Sequence, residues 1–173
     1  QSYTKLSHYV DQFIVPMRDK PKKFNGEIPW CRIEDFDGMF LSSSKSNQNV
    51  SKEVIDGMNL KVYPIGTVLV SCSADLGRCA ITAKELVTNQ TFIGLVTNEN
   101  VDNKFLYYYM RSMAKELNRL SSGTTISYLS RKMFENFNVQ IPSLKEQRLI
   151  VEKLLMIELK IDKASYKINS SKA

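Results

Sequence analysis

The stretch PSLKEQRLIVEKLLMIELKIDKASYKINSS, residues 142–171, holds a helix start and no stop signal. Ser143 is placed to accept from first-turn amides and Glu146 follows three residues later, the capping-box pattern. Ile150, Leu154, Ile157, Ile161, Ala164 and Ile168 then recur at alternating spacings of four and three, the period of a coiled-coil seam. An isolated helix of this length is marginal in water, so the seam calls for a partner helix. No other stretch of the chain is long enough to supply one. Leu149, Val151, Leu155, Met156 and Leu159 are apolar off the seam, so the first half of the helix is also expected to pack on its own domain or on another protein.

Upstream, residues 120–130, LSSGTTISYLS, set seven hydroxyl side chains around Gly123. Gly123 suits the end of one helix and Ser127 or Ser130 the start of the next, so the cluster reads as a turn before it reads as a site. The helix before it is expected over 103–120: Asp102 is a plausible N-cap, and Phe105, Tyr109, Met113 and Leu117 form one stripe with Leu106 and Met110 beside it. Tyr107, Tyr108 and Tyr109 point in three directions on such a helix, so at least one is core. Leu129, Met133, Phe134 and Phe137 predict a shorter second helix, followed by a strand in NVQI.

Earlier still the period is two. GTVLVSC (66–72) and CAIT (79–82) flank a turn at 74–78 and predict a hairpin, and TFIGLVT (91–97) is a further strand. Residues 28–41 read as two short strands around Asp37-Gly38. Val54, Ile55 and Met58 have helical spacing, and SSSKSNQNVSK (42–52) is an aperiodic polar loop. The expectation is an α+β fold: a globular domain of mixed strands and short helices over 1–141, then a long helix over 142–173.

A chain of 173 residues buries enough surface to fold without metals or disulfides. No run of 18 uncharged apolar residues occurs, which argues against a membrane span. Residue 1 begins no secretory pattern, and Cys31, Cys72 and Cys79 form no C-x-x-C pair, so a reducing cytoplasm is expected. The net charge of +6 suits an anionic partner, with half of it on the last 32 residues. Catalysis finds little support. The lone histidine, His8, is far in sequence from every hydroxyl-rich stretch. Phosphate-cradling glycine loops are lacking, as is the Pro-Pro-aromatic motif of amino-group methyltransferases. The acidic-x-Lys triplets Asp102-Asn103-Lys104 and Glu158-Leu159-Lys160 read as a helix cap and a helix side. What remains is binding by loops rich in Ser, Asn, Gln, Lys and Arg.

The order of segments then matters more than any one of them. GEIPWCRIEDFDG (26–38), KVYPIGTVLVSC (61–72), TNQTFIGLV (88–96), FLYYYMRS (105–112) and residues 120–154 together resemble one half of the specificity subunit of type I restriction-modification enzymes. The resemblance covers roughly 24 to 168. It is most specific from Gly123-Thr124-Thr125 through Phe134 and Ile141-Pro142 to Glu146-Gln147. In that family two target recognition domains, each followed by a long helix, read the halves of a bipartite DNA site, the helices packing antiparallel as a spacer. Partner methylation subunits, which hold S-adenosylmethionine, modify an adenine in each half. This chain departs from the pattern in having one domain and one helix.

The resemblance implies a non-catalytic half-subunit that holds no cofactor itself. Its expected partners are double-stranded DNA, a methylation subunit, a restriction subunit, and a second copy or another specificity subunit met through the helix. The seam residues Ile150, Leu154, Ile157, Ile161, Ala164 and Ile168 would make that pairing, and a homodimer would read an interrupted palindrome. With Leu154 and Ile161 at position a, Lys153, Lys160 and Lys167 fall at g, where an antiparallel pair sets lysine against lysine; the antiparallel choice rests on the resemblance alone. Base-reading candidates are Ser43, Ser44, Lys45, Asn47 and Gln48, with Ser73 and Arg78 in the hairpin turn. Phosphate candidates are Lys20, Lys22, Lys23, Thr124, Thr125 and Arg131. Two alternatives stay open: a regulatory half-subunit that pairs through its helix without reading DNA, and an RNA-binding module using Tyr107 and Tyr108.

Overall fold

The computed structural model describes residues 2–73, 75–121 and 129–172. In chain order the elements are β1 (Thr4–Lys5), β2 (Val10–Ile14), β3 (Ile28–Cys31), β4 (Phe40–Leu41), β5 (Asn49–Val50), α1 (Lys52–Met58), β6 (Val68–Ser71), β7 (Cys79–Thr82), β8 (Val87–Thr88), β9 (Phe92–Thr97), α2 (Asn103–Ser112), α3 (Ala114–Ser121), α4 (Arg131–Glu135), β10 (Asn138–Val139) and α5 (Leu144–Ser171). Short 3-10 turns occupy Leu6–Tyr9 and Ile33–Asp35. The α+β expectation holds.

The main sheet has the order β2-β9-β6-β7-β4, antiparallel except for the parallel pair β4–β7. All four residues of β6 are buried, because both faces of the sheet are covered and side chains alternate between them. Val68, Val70, Ile81, Ile93 and Leu95 join Phe105, Leu106, Met110 and Val151 in one cluster, under α2 and the start of α5. Leu69, Ala80 and Phe92 face the other way, onto Cys31, Phe36, Tyr63 and Leu86. Gly94 belongs to this second face: a Cβ there would lie 2.5 Å from the Tyr63 ring, so the strand admits no side chain where that ring packs. Tyr63 has no solvent exposure, and its hydroxyl meets Thr88 Oγ1 at 2.8 Å. A smaller sheet, β5-β3-β8, covers the cluster of Trp30, Val50, Ile55 and Val87.

The 66–82 hairpin forms as expected, with Val70 opposite Cys79. Residues 28–41 form the two expected strands about a turn at Gly38, whose φ is +76°. They take different neighbours: β3 pairs with β5 and β8, while β4 pairs with β7. One expectation needs correction: the helix expected over 103–120 is two helices. At Ser112 the hydroxyl donates back to Tyr109 O at 2.6 Å, a local bond that competes with the helical ladder, and Met113 takes φ −90°, ψ 7°. The hairpin turn closes on this joint: Gly77, at φ +85°, leaves less than a methyl group's clearance to Ala114.

Asp102 caps α2 as predicted, accepting from Lys104 N and Phe105 N, and Ser143 caps α5, accepting from Glu146 N at 3.4 Å. Ser130 caps α4, accepting from Met133 N. Gly123 and Ser127 lie outside the described residues. β10 pairs antiparallel with β1, so the chain returns to its beginning just before α5 departs.

Two devices seat α5, which at 28 residues is about 42 Å long. Gln147 is fully buried; its Nε2 donates to Asn100 O (3.1 Å) and Pro142 O (2.8 Å), and its Oε1 accepts from Asp102 N (2.8 Å). Further along, Glu158 accepts from the Tyr108 hydroxyl at 2.9 Å and pairs with Arg111 at 3.6 Å. Desolvation, then the bond to Glu158, holds the Tyr108 phenol above its ordinary range, so it stays a donor at neutral pH. Of the apolar residues off the seam only Val151 is buried. Leu149, Leu155, Met156 and Leu159 remain exposed, so of the two expected packings the chain's own domain supplies only that of Val151.

Gln147→Ala removes three buried hydrogen bonds and leaves Asp102 N–H without its acceptor. The expected loss is about 3 kcal/mol of unfolding free energy, measured by urea denaturation, with the circular dichroism of the folded chain little changed.

Candidate nucleic-acid interface

The polar loop between β4 and β5 is built around a buried carboxylate. Asp35, 5% exposed, accepts from Arg32 N through Oδ2 and from Lys45 N through Oδ1, both at 2.7 Å. Ser44 Oγ accepts from Gln48 N at 3.1 Å, and Ser44 O accepts from Asn47 N at 3.0 Å. Asn47 sits at φ +57°, a left-handed conformation that asparagine tolerates better than most side chains. Gln48 O accepts from Trp30 N at 2.9 Å, tying the loop to β3. Ser46 Oγ donates to Gln48 Oε1, and Asn49 Nδ2 donates to Asn47 Oδ1. The loop is therefore pinned along its length.

This sorts the sequence candidates. The Ser43, Lys45 and Asn47 side chains point to solvent, and Gln48 is partly exposed. Ser44 differs from them: it is 9% exposed and its hydroxyl accepts from Gln48 N, so it shapes the loop. Arg78 lies in the neighbouring hairpin turn, half-exposed, 3.5 Å from Asp75 and with its guanidinium 5.9 Å from the Phe36 ring centre. Phe36 stacks on Phe92 beneath it. Because Phe36 follows Asp35 in sequence, one short segment, Arg32–Phe36, supports both the loop and Arg78. Ser73, partly buried, contributes its carbonyl to the same turn by accepting from Ser71 Oγ.

The phosphate candidates divide as well. Lys22 and Lys23 are exposed, while the Lys20 ammonium rests over the rings of Trp30 (5.4 Å) and Phe24 (5.8 Å). Arg131 is ion-paired with Glu135 on its own helix at 2.8 Å. Thr124 and Thr125 lie outside the described residues. The tyrosine trio is engaged in the scaffold, which speaks against the RNA-binding alternative that used Tyr107 and Tyr108. Tyr107 is buried under Arg111, Tyr108 is bonded to Glu158, and the Tyr109 hydroxyl accepts from Gln140 N.

Sequence reasoning missed Arg18, Arg32 and Asp35. Arg32 Cζ lies 5.8 Å from the centre of the Trp30 ring, and the only available signal was a tryptophan flanked by cations at positions 20 and 32. Nothing in IEDF separates a buried acid from a solvated one.

Burial pushes the Cys31 and Cys79 thiols up to about 12 and Cys72 up to about 11, which keeps them protonated at neutral pH. Among the described residues no three His, Cys, Asp or Glu side chains are grouped to hold a metal ion, and no helix is long and apolar enough to cross a membrane. The seam residues of α5 are open. Ile157, Ile161 and Ile168 are each more than half exposed, Ile150 is 38% exposed, Ala164 is exposed and Leu154 is partly covered.

Comparison with known proteins places this geometry. The model of the type I restriction modification DNA specificity domain matches residues 16–169. The MjaVIII type I specificity subunit of Methanocaldococcus jannaschii is 34% identical over 158 residues, 90% of this chain and 36% of that protein. The EcoprrI specificity subunit of Escherichia coli is 31% identical over 124 residues, 68% of this chain and 30% of that protein. Thus the chain spans about a third of the length of these relatives. In fold it matches a chain from a type I R-M system solved in a study of complex assembly and conformational transition, with a TM-score of 0.74, 20% identity, 94% of this chain and 39% of that one. The HsdS subunit from Thermoanaerobacter tengcongensis matches with a TM-score of 0.67 and 18% identity over 94% of this chain and 38% of that one.

Asp35→Ala removes the acceptor shared by Arg32 N and Lys45 N and leaves the Trp30–Gln48 bond and the identity of every exposed side chain unchanged. The backbone amides of Lys45 and Arg32 are then expected to exchange roughly thirty-fold faster, the equivalent of about 2 kcal/mol for bonds to a carboxylate, as read by amide hydrogen exchange.

Proposed function

The chain belongs to the type I restriction modification DNA specificity family, and from that membership we propose that it reads one half of a bipartite duplex site in the cytoplasm on behalf of a methylation subunit. Residues 1–141 are the DNA-reading part and residues 142–173 the pairing helix. The observation that carries this reading is the pinned loop, which shares its supporting segment, Arg32–Phe36, with Arg78. Rigid donors and acceptors distinguish base edges because a wrong base leaves them unpaired, whereas a slack loop adapts to any sequence. Lys45, Asn47 and Gln48 on one side and Arg78 on the other offer a cation, two amides and a guanidinium. An amide suits the two-point edge of adenine, and a guanidinium suits that of guanine. Phosphates of the same duplex would meet Lys20, Lys22 and Lys23.

The chain itself performs no chemistry in this reading. S-adenosylmethionine sits on the methylation subunit, which modifies an adenine in each half-site, and a restriction subunit completes the assembly. The second half of the site is read by a second copy, met through Ile150, Leu154, Ile157, Ile161, Ala164 and Ile168. The exposure of that seam supports pairing, since a lone helix gains nothing from keeping isoleucines in water. A two-fold pair of identical domains makes the site an interrupted palindrome.

Mapping methylated adenines in DNA treated with the chain and its methylation subunit tests the reading. The expected result is one modified adenine in each of two inverted half-sites at fixed spacing. Methylation that tracks no sequence would refute it. Arg78→Ala is expected to relax the preference at one position of the half-site at a cost of about 1 to 3 kcal/mol in discrimination, measured by competition among single-base variants. Separately, Ile157→Asp puts a charge in the seam and is expected to give monomers in sedimentation velocity, with methylation of full sites falling at least tenfold.

A further inference from the structure

On the outer side of β3 a cavity of about 300 Å3 is lined by Arg18, Asp19, Lys20, Trp30, Arg32 and the 89–91 turn. Trp30 is 4% exposed, and its ring carries a cation from each of two segments: Lys20 Nζ lies 5.4 Å and Arg32 Cζ 5.8 Å from its centre. The aromatic face partly offsets the cost of holding two positive charges so close to apolar surface. Arg32 Nε is buried without a hydrogen-bond partner; its ion pair with the exposed Glu34 is 3.8 Å long. A buried guanidinium N–H left unspent costs stability unless an acceptor arrives. Three cations, Arg18, Lys20 and Arg32, line the cavity with one carboxylate, Asp19, and even with Glu34 3.8 Å from Arg32 Nε the positive charge is in surplus. On the third side the Thr91 hydroxyl donates to Asn89 Oδ1 at 2.7 Å, fixing the Asn89 amide at the cavity edge.

We propose that this cavity is a clamp for one phosphodiester of the DNA backbone, with Arg32 as its principal ligand and Arg18 and Lys20 beside it. The proposal rests on the DNA-reading function above and adds to it how the reading loop finds its register. A phosphate oxyanion presents two oxygens to a planar guanidinium, supplying the acceptor that Arg32 lacks. The clamp and the loop share one piece of backbone. Arg32 N and Lys45 N are held by the same Asp35 carboxylate, and Trp30 N is bonded to Gln48 O. A phosphate seated at Arg32 therefore fixes the distance from the DNA backbone to Lys45, Asn47 and Gln48 without reading any base itself.

The test uses the full chain, a duplex bearing the mapped half-site and a scrambled duplex of equal length, each over a series of salt concentrations. Trp30 is the chain's single tryptophan, so its emission reports directly on the cavity. Expected for Arg32→Gln is a roughly tenfold weaker affinity for both duplexes, with the slope of log affinity against log salt smaller by about 1. Arg32→Lys recovers part of the loss, a point charge replacing a fork. In the wild type, duplex at micromolar concentration quenches Trp30, inorganic phosphate does so only at millimolar concentration, and Arg32→Gln responds to neither. Circular dichroism checks folding, and Lys20→Gln, on the exposed rim, carries the test if Arg32→Gln is unfolded. Unchanged affinity and slope in a folded variant would overturn the clamp, as would a loss confined to the cognate duplex. Tight binding of free phosphate that duplex fails to displace would assign the cavity to a small anion instead. A wild-type chain that binds no duplex would overturn the functional reading itself, a result distinct from failure of the clamp alone.

Discussion

Gln147 is sealed from solvent, and its amide is spent entirely on backbone: the 100–102 turn that starts α2, and the carbonyl of Pro142 that precedes α5. The arrangement ties the cap of one helix to the first turn of another. Since α2 lies on the main sheet, the long helix inherits its direction from the core. The Glu158 contacts with Tyr108 and Arg111 hold that direction for three more turns. Beyond them α5 runs free, and whatever docks on its seam takes its position from these few polar bonds. A buried amide with all its partners in place is stiff and specific, whereas a half-satisfied one would be worse than an apolar residue. That is a physical reason to find glutamine, and not leucine, at the root of the helix.

A second buried polar group, Asp35, does for the polar loop what Gln147 does for the helix. Both use one side chain to join backbone segments distant in sequence, and both leave the exposed residues free for a ligand. Between them lies the main sheet, one face under α2 and the root of α5, the other under Phe36, Tyr63 and Phe92. The loop beside Arg78 and the apolar seam are thus mounted on one framework. Under the proposed function, a rigid connection between the loop and the seam would let the protein set the spacing between half-sites.

Periodicity carried much of the secondary structure. The hairpin of β6 and β7, strand β9, the Asp102 and Ser143 caps and the extent of α5 were legible because their hydrophobic period and capping residues act locally. The pairing of β3 and β4 was not, since a turn at Gly38 says nothing of which strand each will meet. The break at Met113 was also hidden, as it arises from a back-bonded serine together with a hairpin turn pressing on Ala114. In the loop, composition marked Lys45, Asn47 and Gln48 as polar, and only the folded chain separates Ser44, whose hydroxyl is consumed, from its neighbours. Lys20 and Arg32 flank Trp30 in the sequence, but only the folded chain sets both cations over its ring.

The sequence by itself determined the α+β class, the family, the long helix and its seam, since these follow from repeats, caps and motif order within short windows. Tertiary structure alone decided which polar residues are structural and which are free, how the helix is aimed, and where cations gather around one aromatic ring. The physical reason is the same in each case. Burial and hydrogen-bond satisfaction depend on segments that meet only after folding, so a residue such as Asp35 or Gln147 has no local signature of the contacts that fix it.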